Sequence, residues 1–104
     1  MLSPSDIRNE IEKRICNYLS RDKSGIRKAL LKLIIKAKTV TVPMLHEILS
    51  KTFDVSYHSV ASMVGIISSK LGILAVKKAN DDAIGVYELK TQYADIVEKA
   101  IASV

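Results

Sequence analysis

Ser56 to Gly72, S-Y-H-S-V-A-S-M-V-G-I-I-S-S-K-L-G, constrains this chain more than any other stretch, because it carries both a helix start and a helix stop. Ser56 can cap the free backbone N–H groups of the first turn, and Gly72 can take the left-handed conformation that closes a helix just past Leu71. Between them Val60, Val64, Ile67 and Leu71 recur at helical spacing within a narrow arc, the face that must meet a core. Placed about 100° apart, His58, Ser62, Gly65 and Ser69 fall opposite that arc, with Ser59 and Ile66 at its border. The exposed face is small and mostly neutral, so it can approach another molecule closely.

The segment after this helix decides how the helix is used. Ile73 to Lys78 (I-L-A-V-K-K) reads as a strand, Asn80-Asp81-Asp82 as a turn, and Ile84 to Leu89 (I-G-V-Y-E-L) as a returning strand. Upstream, Thr39-Val40-Thr41 reads as a brief β-branched strand. It leads to a helix with Pro43 in its first turn and Leu45, Ile48, Leu49 and Phe53 on its apolar face. Phe53-Asp54-Val55 is then the turn before Ser56. Two helices running into a hairpin have the layout of a winged helix-turn-helix, in which the second helix enters a groove and the hairpin reaches beside it.

Both ends add an amphipathic helix. Ser3-Pro4 or Ser5 starts one that ends near Leu19 or Ser20, with Ile7, Ile11, Ile15, Tyr18 and Leu19 as its stripe. Thr91 to Val104 carries Tyr93, Ile96, Val97, Ala100, Ile101 and Val104 at helical spacing. Between them, Ile26 to Ala37 is a helix for which Ser24 is the candidate cap. Ile26, Leu30, Leu33, Ile34 and Ala37 face one way, and Lys28, Lys32 and Lys36 line up on the other. Leu31 and Ile35 lie beside the lysines and need a further cover, from a terminal helix or a second subunit. The expected class is mainly α with a small β hairpin, an α+β winged helix with extra terminal helices. It forms one domain over residues 1–104, divided into an N-terminal helix (1–20), a winged-helix core (24–89) and a C-terminal helix (91–104).

Charge bears on partners. The net charge is +5, yet residues 1–38 hold ten Lys/Arg against four Asp/Glu, whereas residues 39–104 hold six against seven. All of the excess is in the first third, which suits nucleic acid and also suits solubility. Cys16 is the only cysteine, so an internal disulfide and a cysteine-based zinc site are excluded. No segment approaches the length of a membrane span, and M-L-S-P-S-D lacks the order of a signal peptide, so a cytoplasmic protein is expected.

The phrase T-V-T-V-P-M-L-H-E-I-L-S-K-T-F-D-V-S-Y-H-S-V-A-S-M-V-G-I-I-S-S-K-L-G-I-L resembles the DNA-binding half of ferric-uptake-type repressors, over roughly residues 39–89. That family's metal-sensing domain and its His and Cys clusters are absent, so metal-dependent regulation does not carry over. Nearly the whole chain is similar to a small archaeal family of uncharacterised winged-helix proteins, through S-R-D-K-S-G-I-R-K-A, V-S-Y-H-S-V-A-S-M-V-G and V-Y-E-L-K. This resemblance implies the fold and brings no assigned activity.

The layout also singles out candidate nucleic-acid-binding residues. His58, Ser59, Ser62 and Ser69 are where base edges are read if the helix enters a major groove, although none discriminates as sharply as a bidentate Arg–guanine pair. Tyr57 can reach a phosphate or pack on the neighbouring helix. Lys70, Lys77 and Lys78 flank the wing, and Arg27, Lys28, Lys32 and Lys36 are further candidates for phosphate contacts. Asp81 and Asp82 at the wing tip oppose deep insertion. Arg21, Lys23 and Ser24-Gly25 form a basic loop before a helix N-terminus, a place that favours an anion.

His46 and His58 have no third ligand at a matching spacing, so no metal is expected, and no cofactor or small-molecule ligand is identifiable. Cys16 reads as a semi-buried small hydrophobe. No catalytic constellation is present. The sequence therefore points to a double-stranded DNA-binding protein, a transcriptional regulator acting as a homodimer through its terminal helices. The rival is a winged helix used for protein interaction, with Ile66, Leu31 and Ile35 as contacts. What separates the two is whether the basic residues of the first third converge beside the recognition helix.

Overall fold

A computed structural model describes residues 3–22, 24–77 and 85–103. Helix α1 (Pro4–Ser20) is followed by α2 (Ile26–Ala37), β1 (Thr39–Thr41), α3 (Val42–Leu49) and α4 (Tyr57–Ile66). Helix α4 runs on into a wider π turn at Ile67–Leu71. Strands β2 (Leu74–Lys77) and β3 (Val86–Leu89) and a 3-10 turn at Thr91–Tyr93 then lead to α5 (Ala94–Ala102). The architecture is mainly helical, with a small antiparallel sheet in the order β1-β3-β2. It is a winged helix-turn-helix with an extra helix at each end.

Local chemistry explains the helix starts. The Ser3 hydroxyl accepts from the Asp6 N–H at 3.2 Å, and the Asp6 carboxylate accepts from the Ser3 N–H at 3.3 Å, a reciprocal capping box. Thr41 Oγ1 accepts from the Met44 N–H, and Ser56 Oγ accepts from the Ser59 N–H, so both helices of the helix-turn-helix are capped by the residue before them. Helix α2 differs. Its cap is Gly25, at φ 87°, and not Ser24. Two donors at its start are met by Asp22, whose two carboxylate oxygens accept from the Gly25 N–H at 3.1 Å and the Lys28 N–H at 3.2 Å.

The expected single α-helix over Ser56–Leu71 is in fact two geometries. The Gly72 N–H donates to the Ile67 carbonyl at 3.1 Å, an i to i+5 bond, and Gly72 sits at φ 71° as the closing residue. Val60, Val64, Ile67 and Leu71 stay buried throughout, so the wider turn keeps the apolar arc on the core. Thr39–Thr41 is more than a lead-in, because it pairs with β3 through Thr39↔Glu88 and Thr41↔Val86. In the hairpin, Leu74 faces Leu89 and Lys77 faces Val86. The expected turn Asn80-Asp81-Asp82, together with Lys78 and Ile84, lies outside the described residues, as do Lys23 and Val104.

The terminal helices pack on their own chain. Helix α5 lies against both α1 and α2, burying Ile96, Val97, Ala100 and Ile101 with Ile11, Ile15 and Leu31. The Arg8 guanidinium joins α1 to the Asp95 carboxylate and the Gln92 carbonyl, and Lys99 reaches Glu12 at 3.6 Å. Leu31, placed by the sequence beside the lysine row, is fully buried, and the cover comes from within the chain. Three residues expected on apolar faces are instead exposed: Ile7, Ala37 and Ile48.

Candidate nucleic-acid interface

Helix α4 presents His58, Ser59, Ser62 and Gly65 to solvent, and the π turn that extends it presents Ser69. Their polar groups are not equally available. Ser56 Oγ donates to Ser59 Oγ at 3.0 Å, and Ser69 Oγ donates to the Gly65 carbonyl at 2.7 Å, so two of the serines are engaged locally. The side chains of His58 and Ser62 make no hydrogen bond among the described residues. They are the groups on this face left free to meet a partner.

Tyr57 packs on the neighbouring helix and stays half exposed. It is 49% exposed, and its ring meets His46 of α3 edge to face, with centroids 5.8 Å apart. His46 Nε2 lies 3.1 Å from the Val55 carbonyl, and because a carbonyl only accepts, Nε2 carries the proton there. His46 thus ties the helix-turn-helix loop to α3 and holds Tyr57 at the mouth of the recognition helix. A histidine read from sequence only as a failed metal ligand is a strut.

The cations divide into two sets. Beside the C-terminal turn of the recognition helix, a groove of about 380 Å³ is lined by Arg14, Tyr18, Arg21, Arg27, Ile66 and Lys70, among others. Arg14 Nη1 donates to the Lys70 carbonyl at 3.3 Å, and its Nε lies 3.6 Å from Glu10. Arg27 Nη1 donates to the Tyr18 carbonyl at 2.9 Å, with its guanidinium 4.4 Å from the centre of the Tyr18 ring, a cation–π contact. Burial pushes the Tyr18 hydroxyl pKa up; the Arg27 charge opposes this, and Asp22 adds a smaller push. Arg14 escaped the sequence reading. Its signal is the spacing Arg14, Tyr18, Arg21, which puts all three on one side of α1.

Lys28, Lys32 and Lys36 go elsewhere. They line a groove with Glu98 and Ile101 of α5, and Lys32 and Lys36 also line one with Ile48 and Phe53 beside α3. No residue of the recognition helix lines either groove. Of the two described wing lysines, Lys77 is paired with Glu88 across the strands at 3.0 Å, while Lys70 makes no ion pair among the described residues. Lys78 lies outside the described residues.

The basic loop before α2 is not an open anion site. Two of its backbone donors, the Gly25 and Lys28 N–H groups, already hold the Asp22 carboxylate, so the chain supplies an anion of its own there. Cys16 is half-buried. Among the described residues, no three His, Cys, Asp or Glu side chains come together as a metal site, and no helix is long and apolar enough to cross a membrane.

Comparison with known proteins bears on the family and the fold. A family model described as "Protein of unknown function (DUF2551)" matches residues 15–97. An uncharacterized protein of Archaeoglobus fulgidus is 38% identical over 93 residues, covering 88% of this chain and 93% of the relative. Among solved structures, wild-type apo MarR from E. coli superposes with a TM-score of 0.60 at 21% identity, covering 96% of this chain and 75% of MarR. A cysteine-to-serine MarR mutant complexed with operator DNA gives 0.59 at 24% identity, covering 90% of this chain. The chain spans 65% of the length of that mutant. At such identities the likeness is one of fold, and it is to MarR; the ferric-uptake comparison gains no support from it.

Proposed function

The chain belongs to the DUF2551 family of proteins of unknown function, and we propose that it is a double-stranded DNA-binding winged-helix protein, a transcriptional regulator acting in the cytoplasm as a dimer. The observation that carries this reading is the gathering of Arg14, Arg21, Arg27 and Lys70 beside the end of the recognition helix. Cations flanking a groove-entering helix are where phosphates lie when such a helix docks, and phosphate contacts supply most of the affinity. The fold shared with MarR, one of whose structures is complexed with operator DNA, supports the same reading.

In this mechanism Arg21 and Lys70 neutralise backbone phosphates, and Arg14 and Arg27 do so from fixed positions. His58 and Ser62 face base edges, Ser59 and Ser69 offer their remaining hydrogen-bonding capacity, and Tyr57 and the wing lysines Lys77 and Lys78 contact the flanks. Residues 1–104 act as one unit with no catalytic role. A shallow apolar patch at Pro4, Ile7 and Tyr93, where α1 and α5 begin, is the surface offered for pairing two copies and so two half-sites.

Fluorescence anisotropy with a labelled random-sequence duplex across a salt series tests this. Binding that weakens steeply with salt, with a log–log slope equivalent to several phosphates, is expected. A folded protein that fails to bind at low salt overturns the reading.

A further inference from the structure

The lysine row of α2 has no part in that mechanism, and its surroundings differ on its two sides. On the α5 side, Lys28, Lys32 and Lys36 share a groove that also carries Glu98, so its lining is of mixed charge. The α3 side is different. There Ala29, Leu33, Ile48 and Phe53 contribute to an apolar groove of about 350 Å³, with Lys32 and Lys36 on its rim and no carboxylate among its lining residues. Ile48 is 39% exposed although its helical position belongs to the apolar face of α3. Lys32 and Lys36 make no ion pair among the described residues. An apolar trough flanked by two cations without ion pairs among the described residues is complementary to one kind of surface.

We propose that the groove between α2 and α3 docks an acidic amphipathic helix of a partner protein. Apolar side chains of that helix, three and four residues apart, fill the trough over Leu33, Ile48 and Phe53. Its carboxylates, one turn apart, face Lys32 and Lys36, which are themselves one turn apart. Exposed ion pairs add little energy by themselves, so the apolar anchors supply affinity and the lysines select an acidic partner. Because the groove shares no residue with the recognition helix, the partner and DNA can be held together.

The test uses a fluorescein-labelled acidic amphipathic peptide built from leucine and glutamate, read by anisotropy and by amide shifts of the ¹⁵N-labelled full chain. Saturable binding is expected, with shifts centred on Leu33, Ile48 and Phe53. A scrambled peptide, and one with lysine in place of glutamate, should each bind at least about tenfold more weakly. Ile48→Glu and the pair Lys32→Glu/Lys36→Glu should each weaken binding about tenfold while duplex binding is kept. The lysine pair serves even where Ile48→Glu fails to fold. Absence of saturable binding, shifts centred elsewhere, or equal binding by the folded lysine variant overturns the proposal, whatever the duplex assay gives.

Discussion

Two cationic surfaces of the same sign are built in different ways. The cations of the groove beside the recognition helix are mostly arginines, and two of them are anchored: Arg14 on the Lys70 carbonyl and Arg27 on the Tyr18 carbonyl and ring. On α2, Lys32 and Lys36 stand on flexible stems without ion pairs among the described residues. A guanidinium has five donors in a planar fork, so it can hold the protein with some and present the rest, whereas an ammonium is a hydrated point charge. The arginine surface suits a rigid polyanion of fixed phosphate spacing. The lysine surface suits a partner that adapts.

Neutralising each surface in turn is the strongest test of that contrast. The triple variant Arg14→Gln/Arg21→Gln/Lys70→Gln is expected to weaken duplex binding by about 100-fold near 0.1 M salt and to reduce the salt slope by about three phosphate equivalents. Lys32→Gln/Lys36→Gln should change it by less than about threefold, since exposed charges more than about 10 Å from the phosphates are screened at that salt. Anisotropy titrations of both, beside thermal melts that establish folding, decide the matter. If the lysine pair has the larger effect, the DNA face has been placed on the wrong side of α2.

Stability should divide the surfaces too. Arg27→Ala removes a hydrogen bond to a backbone carbonyl and a cation–π contact, and is expected to cost about 1–2 kcal/mol by urea denaturation. Arg27→Lys should recover only part of that, because an ammonium cannot stack and bond in the same geometry. Lys32→Ala, on an exposed stem, should stay within about 0.5 kcal/mol of wild type. Equal costs at the two positions would remove the distinction between anchored and unanchored cations.

These contrasts were only partly legible in the sequence. The cap at Ser56, the stop at Gly72 and the buried arc Val60, Val64, Ile67, Leu71 could be read because each rests on local spacing, whereas Ser3 was only one of two starts open for α1. The π turn could not, since α and π geometry bury the same four residues. Ser24 looked like the cap of α2, but Asp22, two residues earlier, meets two of the donors there by folding its carboxylate back over the loop. The lysine row was visible as a row, while the side of the molecule it faces depends on how α2 packs against α3 and α5. Ile48 followed the apolar period of α3 and still emerged exposed, because nothing described in the chain covers that part of the groove. Periodicity reports which residues share a face; it does not say whether a neighbour arrives.

Within the arginine side, the proposed base reading and the proposed phosphate holding can be pulled apart. His58→Ala and Ser62→Ala should each lower affinity for a selected site by about three- to tenfold, while leaving random-duplex binding and the salt slope unchanged. Ser69→Ala should do less, its hydroxyl proton being committed to the Gly65 carbonyl. A change in salt slope from His58→Ala would place that side chain on a phosphate and not on a base.

A further small effect tests how the arginine groove is floored. Tyr18 is 7% exposed, and its hydroxyl has no hydrogen-bond partner among the described residues, although its ring carries Arg27. Tyr18→Phe keeps the ring and deletes an unsatisfied buried hydroxyl, so stability at pH 7 should be unchanged or rise by up to about 1 kcal/mol. Burial raises the folded-state pKa above the ordinary 10.0, so the unfolded chain gives up this proton first as pH rises. The neutral phenol's contribution is therefore fully present below about pH 10 and is lost as pH rises through the folded value. The phenylalanine variant has no such proton, and urea denaturation at about pH 8 and about pH 10.5 should show it losing less stability than wild type over that interval. A loss of more than about 1 kcal/mol at pH 7 would instead mean that the hydroxyl is bonded, and that the groove floor is polar rather than an aromatic plate beneath Arg27.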